Sequence, residues 1–268
     1  MVSRELYTTI TLVIYMRESS FTKARYGKMG NALSIERQIF PGLPNPNAEH
    51  NLIRDHFTVG EFYAVKCTAS TEPRVTAAVF HGNMEDFATT ASCWRKLPAQ
   101  SLVGFEYPGY GWRETEQATQ AAVLADVPRQ VAILQDQTRV DVCGRSLGTF
   151  AAVHLAIALG PIKCAGLLLV SPMLTAIATK VPIPLHRALA FVDYLDNESA
   201  VKLLSSDVPV LIVHGEADLV VPVSNARALC KLLPLANYIE LPEVHHNDVM
   251  RNDTAWEAIL EWFKLLVP

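Results

Sequence analysis

The chain has 268 residues, half of them hydrophobic, and a formal net charge of −4 at pH 7. Its length fits one α/β domain or two small ones, and its apolar content supplies a large core, which excludes a disordered chain or a coiled coil. The acidic balance gives no electrostatic basis for binding nucleic acid.

The cysteines are scattered along the chain, and most of them lie inside apolar runs. An odd number of cysteines in such surroundings favours buried free thiols in a reducing compartment over a disulfide framework, so we expect a cytoplasmic protein. The sequence contains no C-x-x-C or H-E-x-x-H spacing that would predict a metal site, and it predicts no cofactor. The five cysteines are Cys67, Cys93, Cys143, Cys164 and Cys230.

The first 45 residues are predicted to be an N-terminal extension with two alternative starts. Leu6 to Met16 is apolar but too short to span a bilayer. Met29 to Ser34 fits the pattern M-G-x-x-x-[ST], so a chain that starts at Met29 would carry an N-myristoylation site on Gly30 and contact a membrane peripherally. In a chain that starts at Met1, Gly30 is internal and cannot be acylated. The sequence favours neither start.

A turn-rich connector, Pro41 to Asn47, leads into a predicted domain over residues 46–268. Short apolar runs bounded by turn residues predict buried parallel strands, one alternating stretch predicts an antiparallel strand, and helical stretches lie between them. This alternation predicts an α/β domain with a mostly parallel, eight-stranded sheet and helices on both faces. The predicted strands that can be placed are Glu61–Lys66, Val75–Phe80, Leu102–Tyr107, Val140–Cys143, Gly166–Val170, Val210–His214 and Tyr238–Leu241, and the predicted helices are Glu85–Trp94, Glu116–Gln135, Ala151–Leu159, Ser224–Leu233 and Thr254–Leu265.

A G-x-S-x-G pattern over residues 144–148 stands between a predicted strand and a predicted helix. A sharp turn of this kind holds its serine in a strained backbone conformation, with the hydroxyl exposed above the strand ends. Gly144 and Gly148 fit because a side chain at either position would crowd the turn. The flanking elements therefore make Ser146 a candidate nucleophile rather than part of a chance match.

A serine hydroxyl needs a base within hydrogen-bond reach, and in a parallel sheet that base should follow the carboxyl end of a strand. His245 and His246 follow the last predicted strand, and their spacing alone leaves both open as the base. His154, inside a helix, is expected to pack, and His214, at a strand end, is expected to shape a turn.

The acid that orients the base should follow the penultimate strand, where Glu216 and Asp218 are both available. Asp218 has more reach into the site, whereas Glu216 is expected to be a solvated turn residue. The order serine, aspartate, histidine is that of the α/β hydrolases.

The oxyanion site requires two backbone N–H groups directed at the developing charge. Leu147, directly after the candidate nucleophile, is predicted to supply one of them. The loop after the third strand is predicted to supply the other from Asn83, while His81 is expected to shape that loop.

Five motifs resemble, in the same order, the small α/β-hydrolase-domain proteins that include protein depalmitoylases and have serine peptidases among their relatives. They are HGNMEDFA, FEYPGYG, GRSLGTFAAVHLA, VLIVHGEADLVVPV and EVHHNDV. The resemblance implies the α/β-hydrolase fold and a serine hydrolase activity, and it implies His246 as the base, since the family's base directly precedes Asn-Asp. This chain departs from the family at His245, where glycine is usual, and at Glu106, where aspartate is usual. It also has no cysteine before Cys67, unlike the lipidated N-terminus of the depalmitoylases.

Substrate preference is read from the chain between Ser171 and Asp207, which has no room for a large lid domain. Met173–Ala178 and Val181–Leu185 are predicted to form an apolar mouth suited to acyl chains, with ordinary core as the alternative. We expect a small-molecule or acylated-protein substrate, with an ester or thioester such as a protein-palmitoyl thioester preferred over an amide. A serine peptidase of the same fold and a non-catalytic binding module are the alternatives.

Overall fold

The apolar runs that predict strands form the central sheet of the computed structural model, which describes residues 43–44, 55–59, 62–68, 76–85, 87–111, 113–180 and 194–266. All of these residues belong to one compact unit, Glu36–Pro268. The strands are β1 (Leu43–Pro44), β2 (Asp55–Val59), β3 (Phe62–Thr68), β4 (Thr76–Phe80), β5 (Ser101–Phe105), β6 (Tyr110–Gly111), β7 (Val140–Arg145), β8 (Cys164–Val170), β9 (Val210–Gly215) and β10 (Asn237–Leu241).

Among the described residues, eight strands form one sheet in the order β10-β9-β8-β7-β4-β5-β3-β2, and β1 pairs with β6 separately. The strands from β10 to β5 in that order pair parallel with one another. At the other edge, β3 pairs antiparallel with both β5 and β2. This arrangement confirms the predicted mostly parallel, eight-stranded sheet. Strand β2 was not placed from the sequence, because its residues Asp55–Val59 mix polar and apolar side chains without a clear period.

Helices cover both faces of the sheet, because the strand side chains alternate between two apolar clusters. One cluster joins Phe80 to Phe150 and Leu229, and the other joins Val79 to Trp94 and Trp256. The helices are α1 (Phe87–Trp94), α2 (Gln120–Ile133), α3 (Gly148–Lys163, broken at Gly160), α4 (Asn197–Ala200), α5 (Ser224–Leu232) and α6 (Asp253–Leu265). Helices α2, α3 and α5 lie on the first face, and α1 and α6 lie on the second.

Two helices, α2 and α3, begin more than two residues away from the predicted positions. Helix α2 begins later, at Gln120, because Thr119 caps it by accepting a hydrogen bond from the Ala122 N–H at 3.0 Å. Helix α3 begins earlier, at Gly148, so its first turn directly follows the candidate nucleophile Ser146.

Free thiols are found at the cysteines whose side chains are described: Cys93, Cys143, Cys164 and Cys230. Burial raises the pKa of Cys164 to about 12, so this thiol stays protonated at neutral pH. The rest of the predicted N-terminal extension beyond β1, including Gly30, lies outside the described residues, as does Val181–Leu185.

Candidate active site

Ser146 lies on the turn between β7 and α3, next to the middle of the sheet. Its φ of 52° is left-handed, which is uncommon for a residue with a side chain. Its N–H donates to Val170 O at 2.9 Å, which ties the turn to β8. A Cβ on Gly148 would lie 2.4 Å from Phe80 O, so only glycine lets the helix begin this close to β4. The close packing of the turn therefore holds Ser146 in its unusual conformation.

His246 connects Ser146 to Asp218 by two hydrogen bonds. Its Nε2 lies 3.0 Å from Ser146 Oγ, and its Nδ1 lies 2.6 Å from Asp218 Oδ2. The carboxylate can only accept, so Nδ1 carries the proton and Nε2 is left to accept the proton of the serine hydroxyl. All three residues are buried, with Ser146 and His246 each 7% exposed. The structure thus brings together three side chains that are far apart in the sequence.

Asp218 is held as a carboxylate by several donors. Its Oδ1 accepts the backbone N–H groups of Val220 at 2.9 Å and Val221 at 2.8 Å. Burial would raise its pKa, but hydrogen bonds from His214 and His246 and from the backbone outweigh burial and hold the pKa well below its usual range. Asp218 is therefore ionised at neutral pH, and it is suited to orient an imidazole.

Asn83 lies in the loop after β4, and Leu147 lies at the N-terminus of α3. Asn83 Oδ1 accepts hydrogen bonds from the Met84 N–H at 2.9 Å and from the Tyr110 hydroxyl at 2.6 Å. Leu147 occupies the N-cap position, and its apolar side chain has no acceptor for the orphan N–H groups of the first turn. The partial positive charge of a helix N-terminus favours a negative group at this position. The use of these two N–H groups as oxyanion donors remains a prediction.

Glu106 forms a buried pair with His81 that supports the loop after β4. His81 Nε2 lies 2.6 Å from Glu106 Oε1, and its Nδ1 lies 2.8 Å from Gly82 O. Burial alone would lower the pKa of His81, but the neighbouring Glu106 carboxylate raises it above the ordinary value. Both ring nitrogens then donate, so His81 is an imidazolium that shapes the loop. In the sequence Glu106 stood out only as a departure from a family pattern, and no local pattern predicted this contact.

The other candidate histidines and the second candidate acid lie elsewhere. His245 is exposed, and its Nδ1 lies 2.8 Å from Ala217 O. His154 packs edge-on against Phe150 with ring centroids 4.6 Å apart. Glu216 is exposed. His214 is fully buried, and its Nε2 lies 3.3 Å from Asp218 Oδ2, a contact that the sequence did not predict.

Of the two interpretations of Met173–Ala178, an apolar mouth or ordinary core, the burial of this stretch favours core. Met173, Leu174 and Ala178 are buried in the cluster beneath α3 and α5. The Leu174 N–H donates to the buried Asn225 Oδ1 at 2.9 Å, which holds the segment against α5. The apolar run therefore reflected packing.

No family model matches the chain. Alpha/beta hydrolase domain-containing protein 17C of Mus musculus is 26% identical over 194 residues, which cover 69% of this chain and 58% of the mouse protein. The match thus spans less than two thirds of the length of that relative. An uncharacterized membrane protein of Saccharomyces cerevisiae is 24% identical over 222 residues, covering 79% of this chain and 77% of the yeast protein. Within the described part of the chain, no helix combines the length and apolar character needed to cross a membrane.

Solved structures of hydrolases superimpose on most of the chain. A meta-cleavage product hydrolase from Pseudomonas fluorescens matches with a TM-score of 0.62 and 14% identity, covering 80% of this chain and 99% of that one. Est1E from Butyrivibrio proteoclasticus, solved with bound ferulic acid, matches with a TM-score of 0.59 and 18% identity, covering 78% and 96%. At such identities the likeness establishes the fold alone. The resemblance predicted from the motifs is thus confirmed: the chain has the α/β-hydrolase fold, and its sequence is similar to alpha/beta hydrolase domain-containing protein 17.

Proposed function

We propose that the chain is a serine hydrolase that cleaves acyl esters or thioesters through an acyl-enzyme. The observation that carries this proposal is the hydrogen-bonded series of Ser146, His246 and Asp218, with 3.0 Å between His246 Nε2 and Ser146 Oγ and 2.6 Å between His246 Nδ1 and Asp218 Oδ2. A nucleophile, a base and an orienting acid within hydrogen-bond reach are the parts that acyl transfer needs.

The acylation step begins when Ser146 Oγ attacks the carbonyl carbon of the substrate and its proton passes to His246 Nε2. The backbone N–H groups of Leu147 and Asn83 hold the oxyanion, and Asp218 stabilises the imidazolium that forms. The bond to the leaving oxygen or sulfur then breaks as His246 returns the proton to the leaving group, and the acyl group remains on Ser146.

Deacylation repeats these steps with water as the nucleophile. His246 takes a proton from the water as its oxygen attacks the acyl carbon. The bond to Ser146 Oγ breaks, Oγ takes the proton back from His246, and the carboxylic acid leaves. Each proton is returned, so the cycle needs no cofactor.

The substrate is a small molecule or an acylated protein, with a protein-palmitoyl thioester as the specific candidate. Esters and thioesters have better leaving groups than amides, which favours this class over a peptidase of the same fold. The similarity to an alpha/beta hydrolase domain-containing protein supports hydrolysis in general. The yeast relative is named a membrane protein, which supports action at a membrane surface.

A fluorophosphonate probe tests whether Ser146 is an activated nucleophile. We expect the purified chain to be labelled at Ser146, and Ser146→Ala to be folded and unlabelled. A folded wild-type chain that resists labelling would instead favour the non-catalytic binding module.

A substrate panel then separates the hydrolase classes. Hydrolysis rates are compared across p-nitrophenyl esters of rising chain length, a long-chain acyl thioester and an aminoacyl amide. We expect the esters and the thioester to react. Turnover of the amide with no ester or thioester hydrolysis would identify a peptidase.

A further inference from the structure

Arg145, which precedes the candidate nucleophile, has a buried side chain that reaches two other loops. Its side chain is 8% exposed, and its Nη1 contacts the carboxylate of Glu85 in the loop after β4. Its Nη2 donates to Asn247 Oδ1 at 2.8 Å and to His246 O at 3.4 Å, both in the loop after β10. One guanidinium thus joins the turn that carries Ser146 to both neighbouring loops of the site.

Glu85 also orients the backbone that leads to Asn83. Its Oε1 contacts Arg145, while its Oε2 accepts the Gly82 N–H at 2.8 Å. A Cβ on Gly82 would lie 2.9 Å from both Arg145 Nη1 and Glu85 Oε2, so the backbone lies directly against the ion pair. The peptide after Gly82 carries the Asn83 N–H. His81 Nδ1 holds its carbonyl oxygen, Gly82 O, at 2.8 Å, and the Glu85 carboxylate fixes the peptide before it, so both contacts bear on the direction of the Asn83 N–H.

The same ion pair is poorly suited to a purely stabilising role. Removing two charges from water costs free energy that offsets most of their attraction, so a buried pair is weak evidence for stability. The planar guanidinium, however, has several N–H donors at fixed angles, which makes it suited to fixing the geometry of more than one acceptor. Glu85 and Asn247 lie 60 and 102 residues from Arg145 in the sequence, so this contact fixes parts of the chain that have no local link.

We propose that Arg145 and Glu85 are positioning residues that hold the Asn83 N–H and the His246 imidazole in register with Ser146. They act through those groups and do not touch the reacting atoms. This inference rests on the proposed function, because it assigns the pair a role in the acyl transfer described above.

The test uses Glu85→Gln in the full chain, with a p-nitrophenyl ester as substrate. Glutamine keeps the size of the side chain and one acceptor oxygen but loses the charge that holds Arg145. We expect kcat to fall about 10²-fold, the scale of a small misplacement of groups at a reacting centre. KM should stay within about twofold, because binding of the ground state is unaffected. The rate of fluorophosphonate labelling at Ser146 should fall in parallel, while the melting temperature stays close to that of the wild type.

Glu240→Gln is the matched control. Glu240 lies on the edge strand β10 and forms an ion pair with Arg227 of α5. The side chain of Glu240 is 25% exposed, as is that of Glu85. We expect this variant to keep the wild-type kcat, which would show that loss of an Arg–Glu pair does not by itself impair catalysis.

Asn247 provides a conservative pair of variants, and its side chain is exposed, so neither should unfold the chain. Asn247→Asp keeps an acceptor oxygen for Arg145 and should retain kcat, whereas Asn247→Leu should lower it. Equal kcat in these two variants would overturn the part of the inference that concerns the His246 loop.

The outcomes separate this inference from the proposed function. An active, labelled wild type with unchanged kcat in Glu85→Gln would overturn the positioning role and leave the hydrolase intact. A fall in kcat that is matched by a large fall in melting temperature would reduce the pair to a structural role, which also overturns it. A wild type that is neither labelled nor active would overturn the proposed function itself.

Discussion

His214 Nε2 lies 3.3 Å from Asp218 Oδ2, the same oxygen that contacts His246 Nδ1. His214 Nε2 also donates to Val221 O at 2.8 Å, so it carries the proton, and its buried Nδ1 has no hydrogen-bond partner among the described residues. Asp218 is thus held between two imidazoles whose ring nitrogens face it, and only His246 also reaches Ser146. His214 therefore stabilises the carboxylate form of the candidate acid.

Replacing His214 with leucine is expected to weaken this support. Asp218 would lose a donor, so its pKa would rise toward the ordinary value. If poorer orientation of the imidazole costs about 1.4 kcal/mol in the transition state, kcat falls about tenfold. Steady-state ester hydrolysis measures kcat, and His214→Gln, which keeps an N–H donor, is the control. A folded His214→Leu variant that keeps the wild-type kcat would contradict the assignment.

The two adjacent histidines give a second prediction. His246→Ala should lower kcat at least about 10³-fold, the scale on which members of a catalytic triad act. His245→Ala should have little effect, because its ring is exposed and contacts only the backbone of Ala217 among the described hydrogen bonds. Steady-state ester hydrolysis measures both. Equal, mild losses would refute His246 as the base.

Asp141 predicts a pH dependence of stability that is separate from activity. It is buried at the start of β7, its Oδ1 lacks a hydrogen-bond partner among the described residues, and burial raises its pKa to about 7. Because this pKa is higher in the folded state than in the unfolded state, the folded chain binds the proton more tightly. The contribution of Asp141 to the free energy of unfolding is therefore full below about pH 4 and is lost as the pH rises to about 7.

Asp141→Asn should remove this loss and raise the free energy of unfolding at pH 8 by at least about 1 kcal/mol, as measured by urea denaturation. The exposed Asp136→Asn is the control and should change little. Asp218 acts in the opposite direction, because its lowered pKa adds stability that disappears only as the pH falls below about 5. If the free energy of unfolding of Asp141→Asn changed with pH between 5 and 8 as it does in the wild type, the prediction would be contradicted.

The pair of Glu106 and His81 predicts a large loss of stability. Glu106→Ala would leave a buried imidazolium without its partner, and it would also remove the acceptor of the Phe87 N–H. Breaking a buried ion pair in this way costs about 3–5 kcal/mol. Glu106→Gln keeps a hydrogen-bond acceptor and should cost less. Thermal or urea unfolding compares both variants with the wild type, and a Glu106→Ala variant as stable as the wild type would show that the carboxylate does not support the loop after β4.

Local patterns were sufficient to predict most of the sheet and several chemical groups along its edge. Apolar runs predicted strands such as Val210–His214 because side-chain periodicity is set by the residues of the strand itself. The glycines on either side of Ser146 predicted a turn because only a residue without a side chain fits there. These properties depend on near neighbours in the sequence, so they can be read without the fold.

Tertiary structure decided the contacts that join distant segments. Spacing left both His245 and His246 as candidates for the base, because two adjacent residues on a loop point in different directions. Packing brings the ring of His246 to 3.0 Å from Ser146 Oγ. The partners of the Arg145 and Glu106 side chains left no local pattern, since they lie 19 to 102 residues away. The sequence left Met173–Ala178 open between an apolar mouth and core for the same reason: an apolar side chain looks identical in the sequence whether it faces a substrate or another helix, and only the neighbouring segments determine which.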